Sequence, residues 1–412
     1  MVLHSNLDVG LNQQKNKPAF SGLLVLDLTQ IYNGPYATFL LAQAGATVIK
    51  IEPPEGEHLR KRASYEGQAV TVPFAMLNAN KLSMPLNLKN EKARKVFLSL
   101  VEKADILVEN FTPDAMEKLG FGAKDLLRLN PRLIYASSSG YGKTGPYRAY
   151  PAMDLAVQAM SGVIGVTGYQ QSPPVKAGVA LCDFNAGIHL YGAICTALYQ
   201  REKTGLGDIV EVSMMEAIYP SLASNLGAHS IGDKGVKRTG NRHGGMSLAP
   251  YNVYAVKDGH VAIITSNEKH WLALVQALSL QNSCDLTPFE TQKLRSKNMD
   301  DLDALIETIT LSMNKDQLLE LLRLHRVPCA PVQELDDVIN DPHLLTRGSI
   351  QKINHPMYGE ILINKSPLKF SNSVPPDYVP SVPLGHDTES ILRSTLGLSR
   401  AEIDALKNEI SN

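Results

Sequence analysis

The chain reads as α/β, with a large Rossmann-like domain built on a parallel sheet and a smaller α+β domain after it. Three observations predict this. Short apolar runs alternate with segments of helical apolar spacing through the first half, the pattern of parallel βαβ units. Residues 227–250 are rich in Gly and His, and a hairpin signal and further helices follow. Pro and Ser then cluster over residues 366–383, which reads as a linker before two amphipathic C-terminal helices.

In chain order, Leu23-Leu24-Val25-Leu26-Asp27-Leu28 is a buried strand. Gly34-Pro35 opens a helix over residues 36–44, with Pro in its first turn and Gly45 at its end. Val48-Ile49-Lys50-Ile51 is the next strand. Ala93, Val96, Phe97, Leu100 and Val101 mark a helix over residues 91–103. Ile106-Leu107-Val108 is a third strand, followed by a helix near 113–119, and Leu133-Ile134-Tyr135-Ala136 is a fourth. A helix over 187–202 breaks at Gly205-Leu206-Gly207. Asp208-Ile209-Val210-Glu211-Val212 is a strand, and a helix over 213–222 is disturbed at Pro220. Lys257-Asp258-Gly259 turns a hairpin over 253–265, and helices follow near 270–280 and 315–325. The last two helices span 387–397 and 400–409. These elements predict a large domain at 19–205, a linker at 206–249, a small domain at 250–335, a second linker at 336–383 and a C-terminal segment at 384–412.

Composition narrows the function. With 412 residues, 44% hydrophobic and 20% charged, the chain has ordinary globular composition. A net charge of −1 gives no basic excess for nucleic acid, so any cationic site is local. Cys182, Cys195, Cys284 and Cys329 lack metal-ligand spacing, so no metal is expected, and such usage suits a reducing cytoplasm. Cys182 reads as a small buried hydrophobe. Residues 5–18 are polar, a loose arm without the apolar core of a signal peptide. No run of about 18 apolar residues predicts a membrane span.

The turn Thr29-Gln30-Ile31-Tyr32-Asn33-Gly34-Pro35 lacks the G-x-G-x-x-G of dinucleotide sites. Gly142-Lys143-Thr144-Gly145 lacks phosphate-loop spacing and reads as an ordinary Gly-rich loop. The most informative residue is Asp183, in Ala180-Leu181-Cys182-Asp183-Phe184-Asn185-Ala186-Gly187. A carboxylate at the end of an apolar run and the start of a helix has two roles open to it. One is a helix N-cap. The other is a nucleophile held where helix N–H groups face developing negative charge.

A longer set of motifs favours the second role. They begin with Leu24-Val25-Leu26-Asp27-Leu28-Thr29, Gly34-Pro35-Tyr36-Ala37 and Gly45-Ala46-Thr47-Val48-Ile49-Lys50-Ile51-Glu52. Asn80-Lys81-Leu82-Ser83, Leu86-Asn87-Leu88-Lys89 and Ala104-Asp105-Ile106-Leu107-Val108-Glu109-Asn110-Phe111 follow. After Gly145-Pro146-Tyr147 and Asp183 come Lys203-Thr204-Gly205-Leu206-Gly207-Asp208, Gly240-Asn241-Arg242, Val327-Pro328-Cys329-Ala330-Pro331-Val332 and Pro383-Leu384-Gly385. In this order and spacing the chain resembles the class III CoA-transferase (CaiB/BaiF) family, from Gly22 to about Lys407.

The resemblance implies an acyl-CoA donor, a carboxylic acid acceptor and Asp183 as nucleophile, passing through a mixed anhydride and an aspartyl-CoA thioester. It implies a coenzyme A thioester as substrate, with no permanently bound cofactor, and an interlocked homodimer. CoA-contacting positions carry over to Tyr32, Asn33, Leu86, Lys89, Asn110, Phe111 and Lys118. Asp154 matches an acidic position near the family's active site and equally suits a helix N-terminus. Gly244 and Gly245 stand where relatives have a longer Gly-rich lid, and suit an ordinary turn as well. His243 beside them reads as a solvent-facing polar residue. Formyl-CoA transferase-like chains carry basic residues at the positions of Pro53 and Pro151, and Gln at that of Tyr32. Arg60 and Arg62 are candidates for the missing charge.

Two alternatives stand beside the transferase. The family's racemases need a proton carrier on each face of the substrate. Here Met153 replaces the His before Asp154, and Asn267 aligns with the second acid, with Glu268 next to it. A non-catalytic CoA-binding protein is expected to lack Asp183.

Overall fold

In the computed structural model, which describes residues 17–61, 71–232, 238–407 and 409–410, the apolar runs of the first half form one parallel sheet. Its strands are β1 (Leu24–Asp27), β2 (Thr47–Glu52), β3 (Lys81–Pro85), β4 (Ile106–Glu109), β5 (Ile134–Ser139) and β6 (Ile209–Ser213). Their order is β3-β2-β1-β4-β5-β6, and every pairing is parallel. The strand order reverses between β1 and β4, which opens a crevice at their carboxyl ends. The polar arm up to residue 16 and Arg62 lie outside the described residues.

Central parallel strands are buried on both faces, which is why their sequences run apolar without alternation. On one face Leu26, Ile49, Leu107 and Tyr135 pack with Val96, Phe97 and Leu100 of a helix over Glu91–Lys103. On the other, Val25, Val48, Ile106 and Ile134 pack with Ala37 and Leu41 of α1 (Asn33–Gln43) and Leu190 and Ile194 of α2 (Leu181–Thr204).

Two elements differ from expectation. β3 was not predicted, because Lys81, Ser83 and Pro85 hide the strand pattern. Lys81 is nevertheless buried, donating to Asp27 Oδ2 at 2.9 Å, Thr38 Oγ1 at 2.8 Å and Asn78 Oδ1 at 2.9 Å. β3 is also an edge strand, where Pro is tolerated, and the C-terminal segment covers it. Asp387 Oδ2 accepts from Ser83 N at 2.9 Å, and Asp387 N donates to Ser83 O at 3.2 Å. The second difference is α2, which starts at Leu181 rather than at residue 187. Its first turn is capped from a distance: Asp154 Oδ1 accepts from Cys182 N at 2.8 Å.

The chain divides into two compact units. The first comprises Met1–Pro151, Asp183–Met214 and His343–Asn412, and the second Ala152–Cys182 and Met215–Pro342. Within the second, β7 (Tyr251–Val256), β8 (Gly259–Ile264) and β9 (Cys329–Pro331) form an antiparallel sheet. The hairpin turn falls at the expected Lys257-Asp258. Trp271, Leu274, Leu302, Ile306, Leu318 and Leu322 supply its core. Leu302 and Ile306 come from a helix over Met299–Thr310 that the sequence pattern did not single out. Ile350–His355 and Gly359–Asn364 form a further antiparallel hairpin ahead of the Pro- and Ser-rich stretch.

Candidate active site

The turn after β1 lies at the switch point, and a buried charge network holds it from below. Asp27 accepts from Thr29 N at 2.9 Å, Thr29 Oγ1 at 2.5 Å, Thr38 Oγ1 and Lys81 Nζ. Burial pushes the Asp27 carboxyl up, but Lys81, Lys50 and the Thr29 hydroxyl outweigh it and hold it at about 2. Burial likewise drives the Lys81 ammonium down to about 8 despite its partner Asp27. Lys50 Nζ donates to Thr29 O at 2.8 Å, and Arg60 forks onto both oxygens of Glu52 at 2.9 and 2.7 Å.

Above this network Asn110 fixes the turn by a reciprocal pair. Its Oδ1 accepts from Gln30 N at 2.8 Å, and its Nδ2 donates to Gln30 O at 2.8 Å. Asn33 Nδ2 donates to Ser138 Oγ at 3.1 Å, so the carboxyl ends of β1, β4 and β5 share one amide network. Ile31 is forced to φ +66°, rare for a β-branched residue and a mark of stored strain. The chain then enters α1, whose Tyr32 cap position makes no side-chain capping bond. Gly34 is required at this entry, because a Cβ there would lie 2.4 Å from the Thr29 side chain.

Asp183 is half-buried in the first turn of the 24-residue α2, not at its cap position. Residues four apart share a helix face. Gly187, four residues on, is where α2 meets α1: a Cβ there would lie 2.6 Å from Asn33 O. Asp183 is therefore on the face of α2 that approaches the Tyr32–Asn33 turn. Phe184 extends the contact, with its ring centroid 6.0 Å from Tyr32 in a stacked pair and 4.9 Å from Tyr36 edge-on. The positive end of the α2 dipole favours the ionised carboxylate at this position.

A groove of about 180 Å³ opens on the other face of the same sheet edge. Leu28, Gln30, Ile51, Pro53, Leu86, Lys89 and Phe111 are among its lining residues. Of the predicted CoA contacts, Leu86, Lys89 and Phe111 therefore line one groove. Tyr32, Asn33 and Asn110 form the turn beside it. Lys118 is exposed at the end of a short helix, next to Leu119, which lines the groove. Arg60, proposed as spare charge, is buried against Glu52 and stacks on Phe74 at 4.1 Å. The loop of Gly142 is anchored: Lys143 Nζ lies 3.2 Å from Glu109 Oε1, and Lys143 N donates to Glu211.

The remaining candidates belong to the second unit. Asp154 holds Cys182 N and also accepts from Gln158 Nε2 at 2.5 Å. Gly244 and Gly245 sit in a loop over 240–248, Gly244 against the Asn225 side chain. His243 is half-buried rather than solvent-facing. Its Nδ1 accepts from Gly245 N at 3.2 Å, so the ring organises that loop. Met153 is exposed, Asn267 caps a helix by accepting from His270 N, and Glu268 pairs with Arg295 at 2.5 Å. Cys182 is fully buried. Gln30, Phe184 and Gly187 escaped the sequence reading. The signals were there: Gln30 follows the first strand at the switch point, and Phe184 and Gly187 flank Asp183. Among the described residues no cluster of His, Cys, Asp or Glu is arranged to hold a metal, and no helix is long and apolar enough to cross a membrane.

The chain is similar to known proteins over nearly its whole length. Residues 20–388 match the family described as CoA-transferase family III. Acetyl-CoA:oxalate CoA-transferase of Acetobacter aceti is 36% identical over 390 residues, covering 94% of this chain and 98% of that protein. Formyl-CoA:oxalate CoA-transferase of Streptomyces coelicolor is 33% identical over 410 residues, covering 95% and 98%. A solved CaiB/BaiF family protein from Brucella suis superposes with a TM-score of 0.81 at 31% identity, over 92% of this chain and 100% of that one. With its fold, its chain-long match and its relatives in agreement, this protein belongs to CoA-transferase family III and is an enzyme of that class.

Proposed function

We propose that the protein moves coenzyme A from an acyl-CoA thioester to a carboxylic acid, with Asp183 as the covalent nucleophile. The observation that carries this reading is Asp183 in the first turn of α2, on the face that closes against α1 at Gly187. An ordinary Asp is ionised at neutral pH and needs no general base.

The exchange balances in four steps. An Asp183 carboxylate oxygen attacks the thioester carbonyl, the C–S bond breaks, and CoA thiolate leaves an aspartyl–acyl anhydride. The thiolate then attacks the Asp183 carbonyl, releasing the donor acid and leaving an aspartyl-CoA thioester. The acceptor carboxylate attacks that thioester, forming a second anhydride and freeing the thiolate again. The thiolate finally attacks the acceptor carbonyl, giving the new acyl-CoA and restoring the Asp183 carboxylate. Retaining the thiolate beside the anhydride is what makes the sequence productive.

The groove at Leu86, Lys89 and Phe111 suits the nucleotide end of CoA, with apolar walls for adenine and Lys89 and Lys118 for phosphate charge. The Asn110–Gln30 pair and Asn33 then set the turn over which the thiol arm passes toward Asp183. Asp154 positions the start of α2 through Cys182 N. The racemase reading finds no support in Met153, which carries no proton, or in Asn267 and Glu268, which are engaged in capping and ion pairing. Exposed Met153, Leu155, Tyr169 and Val179 are the kind of apolar surface a second copy of the chain would cover, which supports a homodimer.

The test is Asp183→Ala in a CoA-exchange assay with acetyl-CoA or succinyl-CoA as donor. Transfer is expected to fall by at least about a thousandfold, with the CD spectrum unchanged. Residual turnover above about a tenth of wild type contradicts the assignment.

A further inference from the structure

Tyr32, Phe184 and Tyr36 form a half-buried aromatic wall joined to the nucleophile's own helix turn, since Phe184 follows Asp183 directly. The wall continues into a second apolar cluster. Tyr32 and Ile31 pack there with Leu59, Phe74, Met357 and Tyr358. Tyr32, Tyr36 and Phe184 each keep part of their surface uncovered.

Among the described residues, the cations that lie over Phe74 of this cluster are Arg60 and Lys50, and both are ion-paired. Arg60 stacks on Phe74 and forks onto Glu52, with a further bond to Val382 O at 3.0 Å. Lys50, 6.0 Å from the Phe74 ring, is buried, donates to Thr29 O and lies 3.6 Å from Glu57 Oε1. A small dicarboxylate placed against this wall would bury its second charge on aromatic carbon, next to cations already paired with Glu52 and Glu57. That arrangement is costly. An acid with an apolar chain or ring would instead remove apolar surface from water on both sides.

Resting on the transferase reading, we propose that Tyr32 sets acceptor specificity, selecting carboxylic acids with an apolar body over oxalate. Tyr32 joins the wall to the second cluster, stacked with Phe184 and packed against the cluster of Leu59 and Phe74. A Gln at this position would replace that ring with an amide able to hydrogen-bond a second carboxylate.

The experiment measures kcat/KM for oxalate, hexanoate and 3-phenylpropanoate as acceptors, with wild type, Tyr32→Phe and Tyr32→Gln. In parallel, mass spectrometry follows Asp183 acylation by acetyl-CoA and succinyl-CoA without acceptor. Wild type is expected to favour an apolar acid over oxalate by about tenfold or more, the scale of a hydrophobic-pocket preference. Tyr32→Phe keeps that ratio, and Tyr32→Gln lowers it by about tenfold. If Asp183 is acylated but oxalate is the better acceptor, or Tyr32→Gln leaves the ratio unchanged, the specificity proposal is overturned while the transferase reading stands. If neither an Asp183 adduct nor CoA exchange is found with these donors, the transferase reading falls and this proposal with it.

Discussion

Asp183 and the Asp27–Lys81 pair show two ways a carboxylate is kept in this protein. Asp183 is half-buried at a helix start, where the dipole favours its charge. Asp27 is fully buried and depends on Lys81 and Lys50. Its carboxyl lies at about 2, below the ordinary 3.8. Between those values the unfolded chain takes up a proton that the folded chain refuses. The stability it contributes is whole above about pH 4 and lost as pH falls through about 2. Lys81 lies at about 8, below the ordinary 10.5, so the unfolded chain holds the extra proton between those values. Its linkage makes stability rise with pH across that window. Lys81→Met removes the nearest cation while roughly keeping the length, and leaves buried Asp27 with Lys50 and the Thr29 and Thr38 donors. Unfolding in urea is expected to show a loss of about 3–5 kcal/mol at neutral pH, smaller in acid, where protonation relieves the buried Asp27 charge. An unchanged midpoint would mean that the pair does not support the turn after β1.

At the scale of elements, the approach of α2 to α1 brings Asp183 to the switch point, and Gly187 permits it. Gly187→Ala places a Cβ 2.6 Å from a backbone carbonyl, a contact no rotamer can relieve. The helices must shift, at about 1–3 kcal/mol of stability. Turnover is expected to fall by about a hundredfold while KM for the CoA ester changes little, because the groove lies on the other face of the sheet edge. Wild-type turnover with wild-type stability would show that this junction does not set the nucleophile. The elements also show what the sequence could reveal. β1, β2 and β4 were legible because strands buried on both faces must be apolar throughout. β3 was not, because its Lys81 and Ser83 satisfy buried polar groups from elsewhere in the chain, Asp27 and Glu52 among them. The start of α2 was misplaced for a similar reason. Its cap comes from Asp154, 28 residues before Cys182, which no local pattern reveals. Likewise Asp183 was legible as a candidate, but its pairing with the Tyr32 turn depends on Gly187 and Asn33 meeting across the fold.

For the whole molecule, the parallel sheet with its reversal between β1 and β4 gives one edge with a groove on one face and Asp183 on the other. A long, flexible substrate such as a CoA thioester can occupy both. The proposed interlocked dimer predicts a species that does not dissociate on dilution, since unlinking requires unfolding. Analytical ultracentrifugation at nanomolar concentration is expected to give a single dimer boundary, and a folded monomer there would contradict interlocking. In the proposed reaction Asp183 itself carries the acyl group and then CoA. In that sequence each turnover gives one Asp183 oxygen to the departing donor acid and replaces it with one from the acceptor carboxylate. Turnover with a heavy-oxygen-labelled acceptor acid, followed by mass spectrometry of the peptide containing Asp183, reads this directly. One heavy oxygen is expected in the Asp183 side chain after the first turnover, approaching two with further turnovers, and none in Asp154. Transfer that proceeds while Asp183 stays unlabelled would contradict the account.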